Sequence, residues 1–237
     1  MTERLVEYEH EGTRLEGFLA VGDAAAGPVP GVVIAHAWGG RGEQEDETAR
    51  RLAAEGYAGF ALDLYGPGVR GNSRDENAAL IAPFLAHRPM LQARMASSVS
   101  ALQSQDEVDS RSIAAIGFCF GGLCVLDLAR SGAAVRGVVS LHGLFTPPEP
   151  VPGVPIRAKV LALHGHDDPM VPVAAVNALE NELTGAGADW QIHVYGGTMH
   201  AFTNPKANDP DFGTVYNAAA DRRAWASTMA FLAEVLA

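Results

Sequence analysis

Apolar residues in this chain fall into runs of two kinds, and the two kinds alternate. Gly31–His36, Tyr57–Leu62, Ser112–Phe118, Val135–Ser140 and Lys159–His164 are short, dense apolar runs. That pattern suits strands buried on both faces of a sheet. Between them lie longer stretches, polar with regular apolar returns, which predict helices: Glu43–Glu55 with Gly56 as its stop, Asn77–Ala86, Pro89–Ser104, Phe120–Ala129, and one running from Pro172 to Thr184. Leu5–Glu9 and Leu15–Val21 read as two short strands around Glu11-Gly12-Thr13. Trp190–Tyr195 reads as a last strand and Ala218–Leu236 as a closing amphipathic helix. Pro67–Ser73 is a glycine-rich loop and Thr146–Pro155 a proline-rich one.

No linker, repeat or charge block interrupts this alternation. It predicts one α/β domain over residues 1–237, with a mainly parallel sheet, right-handed crossovers and helices on both faces. Sheets of this kind place their sites outside the carboxyl ends of the strands. The residues that immediately follow each strand are therefore the ones to inspect.

Composition narrows the partners. Lys plus Arg is 17 against 28 Asp plus Glu, a formal charge of −11, and only Lys159 and Lys206 are lysines. A cationic face for nucleic acid or an anionic membrane is not expected. The longest near-continuous apolar stretch, Ile113–Leu126, has 14 residues with three glycines, short of the ~20 that span a bilayer. The first residues show no apolar secretory segment, and two cysteines five apart make no disulfide framework, so a reducing cytoplasmic setting is the expectation. The partner expected is a small molecule, with a homodimer left open.

Three strand ends carry chemistry. Gly117-Phe118-Cys119-Phe120-Gly121 is a G-x-C-x-G turn between a strand and a helix. A nucleophile raised on such a turn has strained backbone, so only the smallest residues fit two positions to either side. The turn also puts the thiol at a helix N-terminus, whose partial positive charge favours thiolate. Cys124, five residues on, belongs to another helix face and reads as core. The second end, Gly165-His166-Asp167-Asp168-Pro169-Met170-Val171-Pro172, has the spacing G-x-x-D-x-x-V-P, which selects Asp168 over Asp167. His164, His166 and Asp167 lack a convergent ligand partner, so no metal is expected. The third end holds His200, in a loop between the last strand and the last helix, with an imidazole suited to proton transfer near neutral pH. Nucleophile, acid and histidine follow the chain order of α/β-hydrolase triads. No G-x-S-x-G competes with Cys119.

Together with Gly31-Val32-Val33-Ile34-Ala35-His36, Ala61-Leu62-Asp63-Leu64-Tyr65-Gly66 and His200-Ala201-Phe202, these pieces resemble the dienelactone hydrolase (carboxymethylenebutenolidase) family of α/β-hydrolases along essentially the whole chain. The resemblance implies an ester or lactone hydrolase without cofactor. Cys119 would be its nucleophile, His200 its base and Asp168 the orienting acid, through a thioester intermediate. The backbone N–H groups of Phe120 and Trp38 would form the oxyanion hole. His36, Tyr65 and Phe202 are candidate pocket walls. The chain departs from the family where a glutamate and two substrate-clamping arginines are expected: Ala37, Pro67 and Asn204 stand there. Arg70, Arg74, Arg88 and Arg94 read as solvated surface residues, any of which could replace the missing cation. Glu43, Glu45 or Glu47 could fold back in place of the missing glutamate. A redox-reactive cysteine protein and a catalytically silent ligand-binding hydrolase are the competing functions.

Overall fold

The computed structural model describes residues 1–23, 27–149 and 153–237; the proline-rich loop 146–155 lies partly outside them. Among the described residues, ten strands and six helices run in the order β1 (Thr2–His10), β2 (Thr13–Val21), β3 (Val29–Ala35), α1 (Glu43–Ala54), β4 (Ala58–Ala61), α2 (Arg74–Ala86), α3 (Arg88–Gln103), β5 (Val108–Phe118), α4 (Phe120–Arg130), β6 (Gly137–Leu141), β7 (Lys159–Gly165), α5 (Val173–Gly185), β8 (Trp190–Tyr195), β9 (Asn208–Asp209), β10 (Thr214–Val215) and α6 (Ala218–Val235). The first eight strands form one sheet, ordered β1-β2-β4-β3-β5-β6-β7-β8. β2 pairs antiparallel with both its neighbours, and every other pairing is parallel.

The dense apolar runs are explained by what covers each face. Along β3, Val33 and Ala35 enter one core while Val32 and Ile34 enter the other; β5 and β7 divide in the same way. With both faces buried, the strands need apolar residues at consecutive positions. α1 and α6 cover one face through Leu52, Ala224 and Phe231, and α2 to α5 cover the other through residues such as Leu91, Leu123 and Leu179. Among the described residues no helix is long and apolar enough to cross a membrane.

The strand order sets where the site falls. From β3 the chain steps one way to β4, then returns past β3 to β5 and continues outward. The loops that leave β3 and β5 therefore diverge and open a crevice between them. Ala35 lies directly beside Gly117, so the residues that follow each strand meet at that crevice. Strand and helix ends shift by a few residues from the sequence expectation, and β9 and β10 were not expected. Each is two residues long, too short for any alternation to register.

Candidate active site

The geometry begins with Cys119, which caps α4 with φ 54° and ψ −114°, a left-handed conformation that costs a non-glycine residue about 1–3 kcal/mol. A Cβ at Gly117 would collide with the Gly121 carbonyl, and one at Gly121 with the Ala35 carbonyl. Both glycines are therefore required by close backbone approach. Phe120 opens α4, so its N–H has no intrahelical partner. Cys119 is partly exposed and lines a cleft of about 360 Å³ together with Trp38, Phe120 and His200.

His200 and Asp168 arrive from the ends of β8 and β7. His200 Nδ1 lies 2.7 Å from Asp168 Oδ2, and both residues are buried. Asp168 Oδ1 accepts the Met170 N–H at 2.8 Å, which fixes the carboxylate from behind. Its neighbours His166 and Asp167 are exposed. His200 Nε2 is buried with no partner among the described residues. Burial acts to lower the His200 pKa, but the charge of Cys119 and the bond to Asp168 outweigh it and push the pKa up to about 10. Cys124 is fully buried in the core, and burial raises its thiol well above the ordinary range.

The loop after β3 forms the opposite wall. Trp38 lines the cleft and stacks on Phe212, with ring centroids 6.0 Å apart and planes 14° from parallel. Its carbonyl accepts the Tyr65 hydroxyl at 2.9 Å. Glu45 is buried behind this loop, where it accepts the Gly42 N–H at 2.9 Å and reaches the Ala37 N–H at 3.4 Å. Glu43 pairs with Lys206 and Glu47 with Arg50, both in solvent. None of the three glutamates lines the cleft beside Cys119.

Three expected pocket walls lie elsewhere. His36 is fully buried: its Nδ1–H donates to the Ala37 carbonyl at 2.7 Å and its Nε2 accepts the Leu64 N–H at 3.3 Å. Burial lowers its pKa to about 4. Tyr65 packs edge-on against His36 and supports the Trp38 loop from below. Phe202 is fully buried, packed against Tyr195 and His142. The apolar walls are instead Phe118, Ile81, Leu144, Met170 and Phe212.

The arginines also divide. Arg88 and Arg94 are buried, not solvated: Arg88 pairs with Asp127 at 2.7 Å and Arg94 donates to the Leu64 carbonyl at 2.9 Å. Arg70 is half-buried and donates to the Val69 carbonyl at 2.6 Å. Arg74 alone of the four lines the cleft, with its guanidinium 4.1 Å over the Phe212 ring and paired with Asp209. Of the departures from the family pattern, Asn204 lines the cleft and Pro67 is exposed outside it.

His142 was missed. It follows β6, is buried, and lines the same cleft, with its ring centroid 5.2 Å from that of His200. Its position just past a strand was the available signal. The Leu-His-Gly around it has no motif to set it apart from other buried histidines.

A cysteine at a strained strand-to-helix turn and a histidine–carboxylate pair, all at the carboxyl edge of a doubly covered parallel sheet, define an α/β-hydrolase. Residues 15–236 match the dienelactone hydrolase family, and the chain belongs to that family. It is an ester hydrolase of the dienelactone hydrolase type. A solved dienelactone hydrolase-like promiscuous phosphotriesterase from metagenomic libraries is 34% identical, superposes with a TM-score of 0.95, and is matched over 100% of this chain and 99% of its own. A Yersinia pestis protein named "putative carboxymethylenebutenolidase" is 27% identical over 91% of this chain and 82% of its own. "Protein usf" of Aquifex pyrophilus is 26% identical over 98% and 99%.

Proposed function

We propose that the chain hydrolyses an uncharged carboxylic ester or lactone through Cys119, His200 and Asp168. The observation that carries this is the 2.7 Å His200–Asp168 contact, which leaves Nε2 as the free nitrogen of a ring that shares a cleft with Cys119. The Cys119 thiolate attacks the carbonyl carbon, and the carbonyl oxygen becomes an oxyanion within reach of the Phe120 and Trp38 N–H groups. As the carbon–oxygen bond breaks, the leaving alkoxide takes the Nε2 proton of His200. A water then gives His200 a proton while its oxygen attacks the thioester, and the thiolate leaves. Asp168 orients the ring and stabilises its cationic form.

Substrate charge follows from the walls. Asn204 is uncharged, and the Arg74 guanidinium is already engaged by Asp209 and Phe212. A carboxylate on the substrate would compete for that arginine, so uncharged apolar acyl groups fit better. The test is a panel of short-chain aryl esters and lactones, with and without a carboxylate. Wild type should prefer the uncharged members and Cys119→Ala should turn over none. Turnover by Cys119→Ala, or a preference for carboxylate-bearing lactones, contradicts the reading. The 34%-identical phosphotriesterase favours one second reading, that an uncharged aryl phosphotriester is also attacked by Cys119. Paraoxon belongs in the same panel.

A further inference from the structure

Three buried histidines besides His200 stand at the carboxyl edge of the sheet: His36, His142 and His164. Only His142 bonds to both of the loops that carry the nucleophile and the base. Its Nδ1 accepts the Cys119 N–H at 3.2 Å, a donor it shares with the Leu141 carbonyl at 3.0 Å. An accepting Nδ1 places the ring proton on Nε2, which lies 2.8 Å from Thr203 Oγ1 in the His200 loop. Burial and the neighbouring His200 hold its pKa well below the ordinary imidazole value.

The backbone points the same way. Four non-glycine residues have positive φ among those described. One is Glu11, in the β1–β2 turn. The other three are Cys119 at 54°, His142 at 40° and Ala201 at 57°, and all line the cleft. Such strain persists only where surrounding contacts over-determine it. The chain of contacts Cys119–His142–Thr203 ties these strained segments together.

We propose that His142 is a positioning residue for the hydrolysis, a strut that holds the Cys119 elbow in register with the His200 loop. A second cationic ring 5.2 Å from His200 would repel its imidazolium, so a neutral strut is needed here. Loss of the strut lets thiolate and imidazolium drift apart, and small misplacements of reacting groups cost up to about 10²-fold in rate. The proposal rests on the Cys119–His200 reading above.

The test uses three variants and an uncharged p-nitrophenyl ester. His142→Phe keeps the ring volume and removes both nitrogens. His142→Asn keeps an acceptor near the Nδ1 position. Thr203→Val removes the far anchor. Expected for His142→Phe is a kcat lower by roughly 10- to 100-fold with KM nearly unchanged, and slower iodoacetamide alkylation of Cys119 in step. His142→Asn should recover most of the loss, and Thr203→Val should lower kcat by about tenfold. Thermal melts identify any variant that fails to fold; if His142→Phe is one, the Asn and Val variants decide. Wild-type kcat in Thr203→Val, or His142→Asn no better than His142→Phe, overturns the strut. Undiminished turnover by Cys119→Ala, run in parallel, would instead overturn the nucleophile assignment on which it rests.

Discussion

Cys119 and Cys124 share a side chain and differ in everything around it. Cys119 sits at a helix N-terminus, partly exposed, while Cys124 is sealed in the core with its thiol pushed up by burial. Iodoacetamide at neutral pH should therefore label Cys119 and leave Cys124 intact, as read by peptide mass spectrometry; preferential labelling of Cys124 would refute the site. Asp167 and Asp168 are separated by the same logic. Only Asp168 is buried against His200, so Asp168→Asn should lower kcat by several orders of magnitude through the wrong imidazole tautomer, and Asp167→Asn should change it little. A larger loss in Asp167→Asn reverses that assignment. The spacing around Asp168 made it legible in sequence. His142 was not, because its role depends on Thr203, 61 positions away, and on no local pattern. Glu45 was legible only as one of three glutamates. The turn of α1 aims it at the Gly42 and Ala37 N–H groups, behind the Trp38 loop and not at Cys119.

The strands could be read because each core strand feeds two cores and is apolar through almost all of its buried stretch, with Ser140 and His164 as the polar positions near the ends of β6 and β7. The helix surfaces were less legible. Arg88 in α3 looks like an ordinary solvated cation, yet it meets Asp127 of α4, which is also bound by Arg130. Charge pairs between helices far apart in sequence leave no periodic trace. The network makes a stability prediction. Asp127→Ala would strand the buried Arg88 guanidinium, while Arg130 keeps Glu182, and loss of one partner from a buried pair costs about 3–5 kcal/mol. Urea unfolding should show a loss of that size. A loss under ~1 kcal/mol, the range of an exposed pair, would mean the network is solvated. Gly117 offers a second check on the turn between β5 and α4. Gly117→Ala drives a methyl into the Gly121 carbonyl, and overpacking of this kind costs about 1–3 kcal/mol or more. Both stability and turnover should fall together.

Across the chain, the strand order brings the ends of β3, β5, β6, β7 and β8 to one edge, and every residue of the proposed machinery follows one of those strands. That architecture determines how activity responds to pH. His200 is held protonated to about 10, against its burial, chiefly by the charge of Cys119 and by Asp168. In the proposed mechanism it donates a proton to the leaving alkoxide and must stay protonated, so acylation should decline as pH rises through about 10. In Cys119→Ala the largest raising influence is gone while burial remains, so the His200 titration followed by NMR should move down toward the ordinary imidazole range. An unmoved titration would show that the two groups do not interact.

The proposed mechanism requires Cys119 to carry the acyl group during turnover. Mixing the protein with an activated aryl ester, quenching in acid within the first turnovers and mapping peptides by mass spectrometry tests it directly. The acyl mass should appear on the peptide that contains Cys119, located to that residue, and be absent from Cys119→Ala. Rapid turnover with Cys119 unmodified, or the acyl group on any other residue, would contradict it.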